Sequence, residues 1–486
     1  MMTLRCLFID FNSYFASVEQ EDVPSLRGRP VVVAPVMAAT TCCIAASYEA
    51  KAYGIKTGTP VWEAMEKCPG IAVVPARPGR YVEMHHRLMD AIAECIPHGK
   101  AESIDEVPCW LIGRERRRDN AIAIAKAVKR RIGEEFAAIR CSIGIAPNKF
   151  LAKTASDMQK PDGLVVLEQA DLPGALHALS LREFCGIGPS MHTRLLAGGI
   201  ESVEQLCAAP KERLRAIWGG VEGERFWMQL HGFELPERRT VKNSIGHSHV
   251  LDPALRNFEA MRSVLFKLLA KVAMKLRREG YVARGMQLHV RFVGLEQRYS
   301  RETGFESLSD TSTLLHLLTG LLVPLQTARE TGRWQERRHP PLSVAVTLTQ
   351  IAKAAQESRE LLPERHRARQ VSEALDRINR KFGHNALFFG TMKTALEHDA
   401  APMRIPFSTI PKPETEDERL HRPRAGDELM HLRERQYKAL AESAHRESRK
   451  RQQGEVSPRA GAAGWGCRAK PAHETALGQT LPLFPP

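Results

Sequence analysis

No stretch of this 486-residue sequence approaches 18 consecutive apolar residues, so no membrane-spanning helix is expected. Met1 to Asp10 lack the long apolar stretch of a secretory leader, and a cytoplasmic protein is expected. The ten cysteines, at 6, 42, 43, 68, 95, 109, 141, 185, 207 and 467, include no C-x-x-C pair. Most have apolar neighbours, as at Cys68, Cys95 and Cys141. That argues against a zinc site and for buried, reduced thiols. No internal repeat is found.

What is present is ordinary in one respect and unusual in another. The apolar fraction of 43% and the charged fraction of 26% are those of a soluble globular protein. At 486 residues the chain is too long for one core, and two to four domains are expected. The net charge of +14 points to a polyanionic partner, most often nucleic acid.

Short apolar runs at 4–10, 30–35 and 141–145 read as strands, and helical spacing covers 12–21, 44–54, 84–96, 120–135 and 148–158. The first 170 residues therefore read as an α+β unit with a mostly antiparallel sheet. From 171 to 236 the chain is nearly all helical. Here Phe184-Cys185-Gly186-Ile187-Gly188-Pro189 precedes a helix, and its glycines let backbone amides face outward as a nest for a phosphate. Residues 237–243 read as a polar linker. A second α+β unit follows, with strands at 244–250, 285–293 and 342–349 and helices at 258–278 and 311–325. A helix near 370–381 comes next. Beyond Pro402 the chain is rich in Pro, Arg, Glu and Ser and reads as a weakly ordered tail with one helix from 427 to 449.

Chemistry concentrates in carboxylates. Asp10 ends the first apolar run, and Asp105 and Glu106 stand side by side after another. Three such groups brought together can hold two Mg²⁺ ions roughly 4 Å apart, as in-line phosphoryl transfer requires, and Mg²⁺ prefers carboxylate oxygens. Spacing alone leaves open that these are unrelated acids at strand ends.

The words around them are more specific. Phe8-Ile9-Asp10-Phe11-Asn12-Ser13-Tyr14-Phe15-Ala16-Ser17-Val18-Glu19, Ser47-Tyr48-Glu49-Ala50-Lys51, Ser103-Ile104-Asp105-Glu106, Ser142-Ile143-Gly144-Ile145-Ala146-Pro147-Asn148-Lys149-Phe150-Leu151-Ala152-Lys153 and Asp157-Met158-Gln159-Lys160-Pro161-Asp162-Gly163 stand in this order. In words, order and spacing the chain resembles the bacterial Y-family (DinB/UmuC-like) lesion-bypass DNA polymerases over about residues 4–395. The resemblance implies a multidomain right-hand fold: palm at 1–19 and 79–170, fingers at 20–78, thumb at 171–236, the linker 237–243, a little finger at 244–351, a C-terminal extension at 352–401 and a flexible tail at 402–486. It implies template-directed DNA synthesis from deoxynucleoside triphosphates (dNTPs) on primer–template DNA, with two Mg²⁺, by a monomer.

Residue roles follow from the same resemblance. Asp10 and Asp105 match the bridging metal ligands, Glu106 the ligand nearer the primer 3′-hydroxyl, and the Phe11 carbonyl completes one metal's shell. Tyr14 and Phe15 lie at the nucleotide, with Phe15 as the steric gate against a ribose 2′-hydroxyl. Tyr48, Lys51 and Lys160 match positions that hold the triphosphate. The chain departs from many members at Lys51, where they have arginine, and at Ala45, where they have threonine; a planar fork and a hydroxyl are lost. UmuC-type members share both departures. Gly186 and Gly188 match a helix-hairpin-helix that binds a backbone phosphate without reading sequence. Arg284, Arg291, Arg298 and Arg301 lie on or beside expected strands and could track template phosphates. At the end, Gln479-Thr480-Leu481-Pro482-Leu483-Phe484 resembles the peptide that docks bacterial polymerases on the sliding clamp, with Leu483 and Phe484 for an apolar pocket and Gln479 at its rim. Two other readings stay open here: a non-catalytic polymerase-like subunit that recruits bypass factors through the clamp, and a structure-specific nuclease.

Overall fold

Cys6–Phe11, six buried residues, make strand β1, and burial on both faces explains why all but Asp10 are apolar. The computed structural model describes residues 3–238, 241–356, 363–412 and 416–418. After helix α1 (Tyr14–Asp22) the chain makes β2 (Val31–Ala34), β3 (Ala45–Ala46), α2 (Tyr48–Lys51), α3 (Val61–Lys67) and β4 (Ala72–Pro75), with β2 between β3 and β4 in a small sheet. Helix α4 (Pro78–Ala93), β5 (Glu106–Trp110), α5 (Arg118–Glu135), β6 (Cys141–Ala146), α6 (Lys149–Met158) and β7 (Leu164–Val166) return to β1. The resulting sheet has the order β5-β1-β6-β7, antiparallel except between β6 and β7.

Strand alternation divides the faces of this sheet. Leu7, Ile9 and Phe11 enter a core shared with α4 and α5. Cys6 and Phe8 enter another, shared with α6 and the helical segment that follows. Asp10 is in phase with Cys6 and Phe8 and so points toward α6. That helix lies close because of Gly144 in β6: a Cβ there would stand 2.0 Å from the carbonyl oxygen of Ala152.

Helices α7 (Pro189–Ala197), α8 (Val203–Ala208), α9 (Lys211–Trp218) and α10 (Val221–Leu230) form the helical segment. The second α+β unit consists of β8 (Ser244–Val250), α11 (Phe258–Arg278), β9 (Tyr281–Phe292), β10 (Arg298–Leu308), α12 (Thr311–Glu330), β11 (Pro341–Thr349) and β12 (Ala352–Lys353). Its antiparallel sheet runs β10-β9-β11-β8, with β12 on the end of β9. Helices α13 (Pro363–Phe382) and α14 (Lys393–Glu397) follow.

Three expectations change. The helix expected over 44–54 opens as strand β3, because Ala45 and Ala46 pair with Val33 and Val32; only Tyr48–Lys51, capped by the Ser47 hydroxyl, turns helically. The extension 352–401 is not a separate body: Met392, Ala395, Ala400 and Ala401 fill the core of the second α+β unit. Nor are the described residues after Pro402 loose. Met403 is buried in the core of the first sheet, and Glu418 pairs with Lys267 at 2.7 Å and Lys271 at 2.8 Å. The helix expected over 427–449 and the terminal hexapeptide lie outside the described residues. Among the described residues no helix is long and apolar enough to cross a membrane.

Candidate active site

The register of the first sheet sets Asp10 of β1 opposite Glu106 of β5. Asp105 precedes β5, and its carbonyl accepts the Phe11 N–H at 2.9 Å, so the three carboxylates meet where two strands are tied. Ser103 donates to Asp105 Oδ1 at 2.6 Å. Burial first, then the Asp10 and Glu106 charges, push the Asp105 carboxyl up to about 6, against the pull of Ser103 and Lys153. The backbone just before it is held from below: buried His85 of α4 donates from Nδ1 to the Ile104 carbonyl at 2.7 Å.

Two ammonium groups stand among the acids. Lys153 of α6 bridges Asp10, Glu106 (2.8 Å) and Asp157 (3.2 Å), and Lys160 reaches Asp10 at 2.7 Å and Asp157 at 2.8 Å. Burial opposes the charge on Lys153, but Asp10, then Glu106 and Asp157, outweigh it and raise its pKa. Lys160 is raised in the same way, burial opposing and Asp10 prevailing. Lys153 and Asp157 stand in the motif words but were given no role from the sequence. Their i, i+4 spacing on one helix was the available signal, yet only the packing of α6 at Gly144 brings them to Asp10. No group of three or more His, Cys, Asp or Glu side chains among the described residues stands ready to hold a metal ion as it is.

The carboxylates line a cavity of about 420 Å³. Phe11, Tyr14, Phe15, Tyr48, Lys51 and Lys160 line it too, so the expected nucleotide residues are brought together with the expected metal ligands. Tyr14 points its hydroxyl away, donating to the Tyr81 carbonyl at 2.6 Å, and only its ring is available. Lys51 lies 4.1 Å over the Tyr48 ring; burial, then Lys160, lower its pKa, while burial raises that of Tyr48. Ser13 joins strand to helix in the left-handed region at φ 48°, and its buried hydroxyl has no hydrogen-bond partner among the described residues. Val250, Arg291, Leu342 and Ser343 of the second α+β unit complete the wall.

A sequence profile of the impB/mucB/samB family matches residues 9–157, and one of that family's C-terminal domain matches 242–361. The chain is 34% identical over 391 residues to the DNA polymerase IV of Moorella thermoacetica, a match covering 78% of this chain and 94% of that one. It belongs to the Y family of DNA polymerases. DNA polymerase IV 1 of Bacillus subtilis is 29% identical over 389 residues, covering 78% of this chain and 91% of that one. The solved structure of a Y-family DNA polymerase chimera, Dbh-Dpo4(243-245)-Dbh, shares the fold with a TM-score of 0.59 at 24% identity, covering 71% of this chain and 99% of that one. The polymerase is thus a DNA-directed nucleotidyltransferase of translesion synthesis, and neither the accessory-subunit nor the nuclease reading is favoured.

The remaining site candidates of the polymerase divide. Gly186 adopts φ 95°, which favours glycine, and Gly188 is the N-cap of α7 without a side-chain cap; a Cβ on either would meet open space. Arg284, Arg291 and Arg298 are exposed on β9 and β10, and the register sets Arg298 directly opposite Arg291. Arg301 does not join them. It packs 5.2 Å over the ring of Tyr299, which is buried under α12, and so lies on the other face of the sheet. The half-twist per strand residue was available from sequence, but the limits of β10 were not.

Proposed function

We propose that this polymerase transfers nucleotides at Asp10, Asp105 and Glu106 by the two-metal route, copying past damaged template bases. One observation carries the assignment: three carboxylates from two tied strands line the same cavity as Tyr48, Lys51, Lys160 and Phe15. The donor set suits a hard divalent cation, being all oxygen, and the raised Asp105 carboxyl together with two inserted ammonium groups marks a cluster that requires positive charge. We assign these carboxylates and the Phe11 carbonyl as the groups that hold two Mg²⁺. When bound, the ions supply charge for the triphosphate and acidity to the primer 3′-hydroxyl.

The chain's own residues do the rest. Tyr48 can donate to a phosphate oxygen, and Lys51 and Lys160 add point charge. The unpaired Ser13 hydroxyl supports the same ligand, since a buried donor calls for an acceptor. Phe15 walls the cavity as the gate against a 2′-hydroxyl. We read the first sheet as palm, residues 20–78 as fingers, α7–α10 as thumb and the second α+β unit as little finger. Gly186 and Gly188 then offer amides to one DNA phosphate. The like charges of Arg291 and Arg298 across one strand pair favour an anion between them, as template backbone would provide. The enzyme acts as a cytoplasmic monomer tethered to the sliding clamp by Gln479, Leu481, Leu483 and Phe484, which raises its local concentration on DNA.

Two experiments test this. Asp105→Ala or Glu106→Ala should lower primer extension by at least about 10³-fold, on the order of 4 kcal/mol of barrier, while primer–template binding persists. Extension near the unaltered rate would exclude the two-metal assignment. Removing 479–486 should leave unassisted extension unchanged and abolish stimulation by loaded clamp; equal clamp binding by the truncated chain would place the docking segment elsewhere.

A further inference from the structure

One aromatic ring at the cavity comes from outside the elements already assigned to it. Phe407 belongs to the segment that leaves the second α+β unit at Ala401, and it lines the cavity beside Phe15, Ile104 and Asp105. Its ring meets that of Phe15 edge-on, with centroids 5.7 Å apart and planes at 62°. Phe15 in turn stacks on Tyr81 at 4.5 Å and 23°. The gate ring thus has three aromatic neighbours: Tyr14 beside it on α1, at 5.8 Å and 51°, Tyr81 of α4, and Phe407 from a segment almost 400 residues away in sequence.

Phe407 is held in place by its neighbours. Its carbonyl accepts the Ile104 N–H at 2.9 Å, one residue before Asp105. Met403 is buried in the core of the first sheet, and Ile405 and Ile410 pack against that core. Arg404 pairs with Glu416 at 3.0 Å, and Glu418, only 2% exposed at its side chain, pairs with Lys267 and Lys271 of α11. Lys271 also donates to the Ala401 and Pro402 carbonyls, at 2.7 and 3.0 Å. The segment is therefore anchored on both sides of Phe407, and the residue stays 40% exposed. A ring fixed at its backbone and set at a steep angle to its neighbour is placed to limit the tilt of that neighbour.

We propose that Phe407 is a positioning residue for sugar selection: it holds the Phe15 ring where that ring rejects a ribose 2′-hydroxyl, and so favours 2′-deoxynucleotides over ribonucleotides. The inference rests on Phe15 being the gate. Loss of one edge-to-face contact corresponds to a factor of about 2 to 12 in an equilibrium.

The test is single-nucleotide incorporation by the full chain, dCTP against rCTP opposite a template dG, with Phe407→Ala, Phe407→Tyr, Phe15→Ala and the double variant Phe15→Ala/Phe407→Ala. Phe407→Ala should lower the dNTP-to-rNTP preference about 3- to 10-fold, chiefly by a lower KM for rCTP, with kcat for dCTP nearly unchanged. Phe407→Tyr, which keeps the ring edge, should retain the preference. Phe15→Ala should lower it further, and the double variant should not go beyond Phe15→Ala, since the two residues act as a unit. If Phe15→Ala changes the preference and Phe407→Ala does not, or lowers both substrates equally, the role of Phe407 is overturned and the gate stands. If Phe15→Ala leaves the preference unchanged, the gate reading itself falls. Additive losses in the double variant would also overturn the proposal. Should Phe407→Ala melt early, Phe407→Leu, which fills the space without a ring edge, replaces it with the same expected outcomes.

Discussion

Lys153 bridges three acids from within a half-closed cavity, and so it contributes to the fold as well as to the site. Removing one partner of a buried ion pair leaves the other charge uncompensated. In EDTA, Lys153→Met should therefore be less stable than the unaltered chain by roughly 2–3 kcal/mol, below the full cost of a wholly buried pair because the lysine side chain is 17% exposed. Millimolar Mg²⁺ should narrow that gap, since a ligand bound only by the folded state stabilises it. Urea unfolding of both proteins in EDTA and in Mg²⁺ measures this. Equal stability in EDTA would show that the ammonium is not what holds the carboxylates together.

Helix α4 supports the turn that carries Asp105, and it does so through a titratable group. The Ile104 carbonyl can only accept, so His85 carries a proton on Nδ1 in either charge state. Burial, with help from His86 and His98, pushes His85 down to about 4 against an ordinary 6.5. Between those values the unfolded chain binds the extra proton and the folded chain does not, so stability falls as the pH falls from 6.5 toward 4 and is unaffected above that range. The full loss approaches about 3 kcal/mol. His85→Asn keeps an N–H for the carbonyl and should remove this part of the pH dependence, as urea midpoints at pH 7 and pH 5 would reveal. An unchanged slope would assign the acid sensitivity elsewhere. Elements such as α11, expected and found at 258–278, were legible because one helix face carries its whole signal. That Asp10, Asp105, Glu106, Tyr48, Lys51 and Lys160 gather at one cavity was legible from motif words. Strand β3 was not, because two alanines become a strand only by pairing with β2. The segment after Pro402 was not either: its prolines and charges read as loose chain, while the partners of Met403, Phe407 and Glu418 lie well over a hundred residues earlier.

At the scale of the molecule, the charge of +14 and the exposed arginines of β9 and β10 predict sequence-blind, salt-sensitive DNA binding. Contact with about six to ten phosphates should cost roughly 10³ to 10⁵ in affinity between 50 and 200 mM salt. Fluorescence anisotropy on two unrelated duplex sequences would measure it, and a flat salt response would contradict a grip on backbone. The anchoring of Glu418 and Met403 has a mechanical consequence. The chain passes from the first sheet's side to the second α+β unit at 237–243, and passes back at Pro402. From there it returns once more, since Glu418 pairs with Lys267 and Lys271 of α11. The second α+β unit is therefore strapped to the first sheet and not merely strung from it: whatever separates the two must stretch or release the segment from Met403 to Glu418.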